Sequence, residues 1–220
     1  MDPEEHSPAE GEPRMKMRSR ALQARSRERL DRLLAIAEQL LSESGVEGFK
    51  MRDLARRAEA PIASLYHYFP SSSAVVRALG VRHLEELRAF LLARIGPLAE
   101  QGDLAETAPE VIAELIDAMV AFLTRSPATT AIWDALRASP ELRALDFEDT
   151  AESARLFEPL LTRAAPGLAP SRVPAMSRVL VEAVQGSMLV IMRTPEPGRA
   201  ALIDALKRFV IAAVTGLAGG

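Results

Sequence analysis

Ser64, Tyr66 and His67 bring a hydroxyl, a phenol and an imidazole onto one short stretch, with Lys50 and Arg52 a little ahead of them. Such groups hydrogen-bond phosphate oxygens and base edges, so the chemistry on offer is recognition rather than bond breaking. The elements that must position them are legible nearby. Met51, Leu54, Ala55 and Ala58 recur at three- and four-residue steps and share one face of a short helix, leaving Arg52, Asp53, Arg56 and Arg57 in water. Ala60-Pro61 then opens a second helix, where proline is tolerated because a first-turn N–H has no intrahelical partner. Leu65 and Phe69 point inward together, and Ser64, Tyr66 and His67 are left on other faces to meet a partner. Helix, sharp turn, helix with small and polar side chains forward is the arrangement that seats a second helix in the DNA major groove.

At these residues the chain resembles the DNA-binding segment of the tetracycline-repressor-like (TetR) bacterial regulators. Leu54-Ala55, Ala58 and above all Ser64-Leu65-Tyr66-His67-Tyr68-Phe69-Pro70-Ser71 carry the resemblance. Ala37 and Gly45 stand where that family keeps a helix-packing alanine and the glycine closing its first helix. The resemblance implies an all-α protein with a three-helix, helix-turn-helix head and a C-terminal bundle that binds a ligand and dimerises. It implies a ligand-responsive transcriptional regulator, most often a repressor. Its partners would be a near-palindromic double-stranded operator, a second copy of the chain and a small, largely apolar effector. The DNA-binding residues it implies are Lys50, Arg52, Ala60, Pro61, Ile62, Ala63, Ser64, Tyr66 and His67. Lys50 and Tyr66 would hold phosphates, Ala63, Ser64 and His67 would lie nearest base edges, and Ala60 to Ala63 would meet thymine methyls. Four positions depart from the family pattern: Glu59 replaces a turn glycine, Pro61 a serine cap, Lys50 a hydroxyl residue and Ser72 a lysine that contacts phosphate. They feed the alternative reading, a helical ligand-binding or scaffolding protein with weak or lost operator binding.

Composition bounds these readings. At 220 residues there is enough chain for a small domain and a larger one. Cysteine is absent, which excludes disulfides, thiol nucleophiles and cysteine metal sites. His6, His67 and His83 lie in different segments without finger-like spacing, so no metal and no cofactor are expected. There is no Gly-rich phosphate loop, Gly-x-Ser-x-Gly elbow or His-Glu-x-x-His, and the expectation is not an enzyme. No secretion signal opens the chain and no apolar run reaches the roughly 20 residues that span a bilayer, so a cytoplasmic protein without a membrane partner is expected. Charge is unevenly spread. Residues 1–13 hold five acids and no Lys or Arg, whereas residues 14–69 hold twelve bases against seven acids. Such a basic segment is either a phosphate-binding footprint or a solvated helical surface.

Three domains follow. Residues 1–24, with Pro3, Pro8 and Pro13 and no hydrophobic period, read as a disordered tail, basic in its second half; it is either a DNA-following arm or a solubilising leader. Residues 25–70 form the head: Leu30, Leu33, Leu34, Ala37, Leu40 and Leu41 mark its first helix, stopped by Gly45. Residues 71–220 form the bundle. A long helix capped by Ser71 ends at Gly96-Pro97, a capping box at Thr107-Ala-Pro-Glu110 opens the next, and Ser126-Pro127 and Ser139-Pro140 open two more, with Pro159 kinking or breaking the later one. Two very apolar helices, about 173–192 and 199–217, complete the chain. Met119, Phe122, Trp133, Phe157, Gln185, Met188 and Met192 are either pocket lining or plain core. Ala175, Val179, Ala183, Gly186 and Val190 on one of those helices, and Leu202, Leu206, Phe209, Ala213 and Leu217 on the other, are expected at a two-fold, four-helix interface, because one chain cannot cover so many apolar faces.

Overall fold

Leu33, Leu34, Ala37 and Leu41, spaced as a helical stripe, are buried to 5% exposure or less and anchor the N-terminal core. A computed structural model describes residues 11–100, 103–138 and 140–218, residues 11–23 through their backbone. Among the described residues the chain is helical, in the order α1 (Gly11–Gly48), α2 (Met51–Arg57), α3 (Ile62–Tyr68), α4 (Ser72–Glu100), α5 (Leu104–Leu123), α6 (Thr129–Ala138), α7 (Pro140–Ala164), a 3-10 turn (Pro170–Arg172), α8 (Val173–Arg193) and α9 (Gly198–Ala218).

Helix α1 begins earlier than its apolar stripe. Residues 11–24, expected in an unstructured tail, are helical, and the first ten residues lie outside the described ones. Residues 14–29 contain neither Pro nor Gly and are dominated by Arg, Met, Ala and other good helix formers, so helix propensity favours carrying α1 through them. Gly45 breaks α1 as expected from its residue type, with φ 66 in the left-handed region.

The core of the head does not stop at residue 70. Met51, Leu54, Leu65 and Phe69 pack with Val75, Val76 and Leu79 of α4 and with Ala128, Ile132 and Leu136 of α6. Ser71 caps α4 by accepting from the Ala74 N–H at 3.1 Å. Gly80 lets α6 come close, since a Cβ there would sit 2.7 Å from Leu136 Cδ2. At 29 residues α4 spans roughly 43 Å, and its second half enters a separate core through Leu87, Leu91 and Ile95. That bundle core adds Ile116, Leu123, Leu160, Leu161, Met188, Ile191, Leu206, Val210 and Val214.

Three boundary expectations are corrected. Gly96-Pro97 does not end α4, which continues to Glu100; a proline in the last turn forfeits one bond near a fraying end. The Thr107 capping box lies inside α5, because Asp103 caps four residues earlier, its carboxylate accepting from the Ala105 N–H at 2.9 Å. Helix α7 runs through Pro159 without the break that is one of the two effects expected there. A fourth correction concerns hydropathy. Pro170–Arg193 has a mean hydropathy of 1.4 in its most apolar window and is, by length and composition, long and apolar enough to cross a bilayer. An average over the window tolerates Arg178 and Glu182, which pair at 2.6 Å and interrupt the apolar run.

Candidate nucleic-acid interface and ligand pocket

The turn between α2 and α3 is built by backbone chemistry. Ala60 N–H donates to Ala55 C=O at 3.0 Å and Glu59 N–H to Arg56 C=O at 3.3 Å, the paired bonds of a Schellman motif. Glu59 occupies the left-handed position, φ 48, that glycine fills most cheaply. Without glycine this costs roughly 1 kcal/mol, and the turn is nevertheless made. Pro61 caps α3 with extended backbone, and Ser64 N–H donates to its carbonyl at 2.9 Å.

This places the expected DNA-reading residues unevenly. Lys50, Arg52, Pro61, Ile62, Ala63, Tyr66 and His67 are exposed, with Ile62 at 37% and Tyr66 at 48%. Ala60 is half-buried against the head core and offers little of its methyl. Ser64 is half-buried as well and already engaged: Arg29 Nη2 donates to its Oγ at 3.0 Å, while the Arg29 guanidinium lies 5.8 Å from the Tyr68 ring. Arg29 thus ties α3 to α1. Sequence reading missed it, and a contact between residues 35 apart leaves no local signal. Arg57 bonds Glu43 at 2.8 Å, holding α2 to α1 and pulling the Glu43 carboxyl below its usual range through that hydrogen bond.

A second site lies in the bundle. A chamber of about 140 Å³ is lined by Leu87 and Leu91 of α4, residues of α5 from Leu104 to Met119, Phe157, Leu160 and Leu161 of α7, Leu180, Val181 and Val184 of α8, and Val210 and Val214 of α9. No charged side chain lines it; its polar groups are Ser153, Ser177 and Gln185. Ser177 is spent on the Ala154 carbonyl at 2.6 Å, and Gln185 is held by Thr150 Oγ1 at 2.8 Å. Of the seven expected ligand residues, Met119, Phe157 and Gln185 line the chamber. Phe122, Trp133, Met188 and Met192 do not. Phe122 stacks on Phe90 at 4.8 Å, Trp133 bridges the two cores, Met188 is 1% exposed in the bundle core, and Met192 packs on its edge.

The outer faces of α8 and α9 leave an apolar stripe uncovered. Ala175, Val179, Gly186 and Val190 are exposed and Ala183 half-exposed; Val179 reaches 61% and Val190 52%. On α9 only Phe209 of the expected five is fully outward, at 56%, beside Ala205, Ala212 and Gly216. Leu206 is buried in its own chain, and Leu202, Ala213 and Leu217 are partly covered there. On a helix apolar all round, composition does not say which stripe turns inward.

Near the junction of head and bundle, His83 is buried in the protein, and that burial pushes its imidazole pKa down; Glu38 opposes the shift, and Arg82 and Arg125 add to it. An unfolded imidazole titrates near 6.5, so as pH falls below that value the unfolded chain takes up a proton the folded chain resists. Stability contributed by neutral His83 is therefore present above about pH 6.5 and lost as pH falls through the lower folded value. Urea unfolding should show wild type losing stability between pH 7 and pH 5 relative to His83→Leu; parallel curves would contradict this.

A helix-turn-helix head, a long connecting helix and a bundle holding an apolar pocket are the architecture of helical DNA-binding regulators. The chain belongs to the tetracycline-repressor-like family. Residues 33–79 match the domain described as bacterial regulatory proteins, tetR family, and residues 107–212 match the tetracyclin repressor-like C-terminal domain. It is similar to the HTH-type transcriptional repressor NemR of Escherichia coli (strain K12), with 37% identity over 73 residues, 33% of this chain and 35% of NemR. The match thus spans about a third of that relative's length. A TetR-family regulator structure from Mesorhizobium loti superposes with TM-score 0.68 at 16% identity, covering 87% of this chain and 98% of that one. The structure of AibR in complex with isovaleryl coenzyme A and operator DNA superposes with TM-score 0.59 at 18% identity, covering 82% and 97%.

Proposed function

We propose that this protein is a dimeric, ligand-responsive transcriptional repressor of the cytoplasm, which binds a near-palindromic operator and is released by a small apolar effector. The observation that carries it is the pairing of an exposed α3 face with an uncharged chamber reached by the same α4 that packs under the head. On this reading Lys50, Arg52 and Tyr66 hold phosphates, and Pro61, Ile62 and Ala63 meet thymine methyls beside His67. Ser64 acts first through its bond to Arg29. The exposed stripes of α8 and α9 join two chains, setting two α3 helices toward successive major grooves. An effector in the chamber touches Leu87 and Leu91 of α4 and must favour the arrangement that does not fit DNA, since equal affinity for both states shifts nothing. The AibR complex with an acyl thioester and DNA supports an apolar acyl group as the kind of effector.

Lys50→Ala should weaken binding to all duplexes alike and reduce the salt slope by about 1, as for one lost phosphate contact. Tyr66→Phe should weaken binding without changing the slope. Fluorescence anisotropy at several salt concentrations reads both; unchanged affinity in both variants would overturn the assignment and favour a helical ligand-binding protein without an operator.

A further inference from the structure

A polar cavity of about 240 Å³, separate from the apolar chamber, lies where the head meets the bundle. Its walls include Glu38 of α1, Arg82 and His83 of α4, Arg125 and Ser126 after α5, and Thr129 at the start of α6. Two of its polar atoms have no hydrogen-bond partner among the described residues: His83 Nε2, in a residue 7% exposed, and Thr129 Oγ1, in a residue 1% exposed. Buried polar atoms nearly always find a partner, so an orphaned pair on one cavity wall points to a ligand.

The charges around that wall are unequally satisfied. Glu38 accepts from Arg82 Nη2 and from Ser126 Oγ, each at 2.5 Å, and Arg82 Nε also lies 3.8 Å from Glu86. Both carboxylates are thus held by Arg82, which leaves little to attract a cation. Arg125 differs. Its guanidinium lies 4.1 Å over the Phe122 ring, and its Nε donates to the Phe122 carbonyl at 3.4 Å. Among the described residues no carboxylate lies within ion-pair distance of it. The Phe122 ring is in turn 6.0 Å from the His83 ring, so guanidinium, aromatic face and imidazole form one continuous surface.

We propose that this cavity is a second ligand site, for a small oxyanion held by the Arg125 guanidinium, the Thr129 hydroxyl and His83 Nε2. A guanidinium presents its N–H groups as a planar fork that matches carboxylate or phosphate oxygens, and a hydroxyl and an imidazole N–H supply further donors. Thr129 also opens the ten-residue α6, whose N-terminal dipole favours negative charge at the same place. The site joins head and bundle, because Glu38 belongs to one and Arg125 to the other. It needs no occupant in the apolar chamber.

The test is imidazole nitrogen NMR on the full-length protein, in which His83 is one of three histidines. Inorganic phosphate and acetate are titrated separately at constant ionic strength, with chloride as the compensating salt. The His83 resonance should move saturably with at least one of them, and which one assigns phosphate or carboxylate as the occupant. Arg125→Gln should weaken that response at least tenfold, Thr129→Val should weaken it several-fold, and Arg125→Lys, which keeps the charge without the fork, should fall between wild type and Arg125→Gln. A His83 resonance unmoved by both anions, or a saturable response unchanged in Arg125→Gln, would overturn the proposal.

Discussion

Phe209→Asp is expected to turn a dimer into a folded monomer and to abolish operator binding from a position far from the reading helix. Phe209 of α9 is 56% exposed in the single chain, as Val179 and Val190 of α8 are at 61% and 52%. A two-fold interface repeats every substitution, so one carboxylate per chain puts two at the seam. Leaving a buried charge unpaired costs about 3–5 kcal/mol, enough to split a dimer of ordinary affinity. Because the side chain faces outward within each chain, helix content should survive. Leu206→Asp is the contrasting case: Leu206 is 5% exposed inside its own bundle, and its loss should unfold the chain. Sedimentation at micromolar concentration reads both outcomes. A monomeric wild type, or a Phe209→Asp protein that remains a dimer, would refute the interface.

Arg88→Met should destabilise the bundle by about 3 kcal/mol. Arg88 of α4 is hydrogen-bonded to Asp149 of α7 and reaches Glu152 at 2.7 Å. Asp149 is 4% exposed, and burial pushes its carboxyl pKa up against the opposing pull of Arg88. Removing Arg88 leaves a carboxylate without its counter-charge in a dry site, a loss of about 3–5 kcal/mol; the lower end applies because Arg88 itself is about a third exposed. Adding Asp149→Asn should recover most of the loss, since a neutral amide needs no cation. The sign with pH follows from linkage. Without Arg88 the folded Asp149 pKa rises further above the unfolded value, so the folded state binds the extra proton and the deficit shrinks as pH falls through that raised pKa. Urea unfolding of wild type, single and double variants at neutral and mildly acid pH tests this. A deficit that persists in the double variant, or grows in acid, would contradict it.

How far the sequence could be read depended on the range of the forces involved. The α2–turn–α3 stretch was legible because Met51, Leu54, Leu65 and Phe69 form a local pattern, and all four are buried. Even the turn at Glu59 keeps its form without glycine, because the backbone bonds to Ala55 and Arg56 determine it. The pocket was only half legible. Met119 and Phe157 line it while Phe122 and Met188 do not, since helices apolar on several faces carry no record of which neighbour each face meets. The same ambiguity put Leu206 on the expected interface stripe although it is buried within its own chain. Contacts distant in sequence, Arg29 to Ser64 and Glu38 to Ser126, were out of reach of any periodicity argument.

The central claim is operator binding by a ligand-responsive dimer, and one titration tests it most directly. A labelled duplex covering the DNA upstream of the protein's own coding region is titrated with wild-type protein and followed by anisotropy, at low and physiological salt, with and without an apolar acyl thioester. The account predicts saturation at an even number of chains per duplex, affinity at least roughly a thousandfold above a scrambled duplex, steep weakening with salt, and release by the thioester or by another apolar compound that enters the chamber. Equal affinity for the scrambled duplex across the salt range would contradict it.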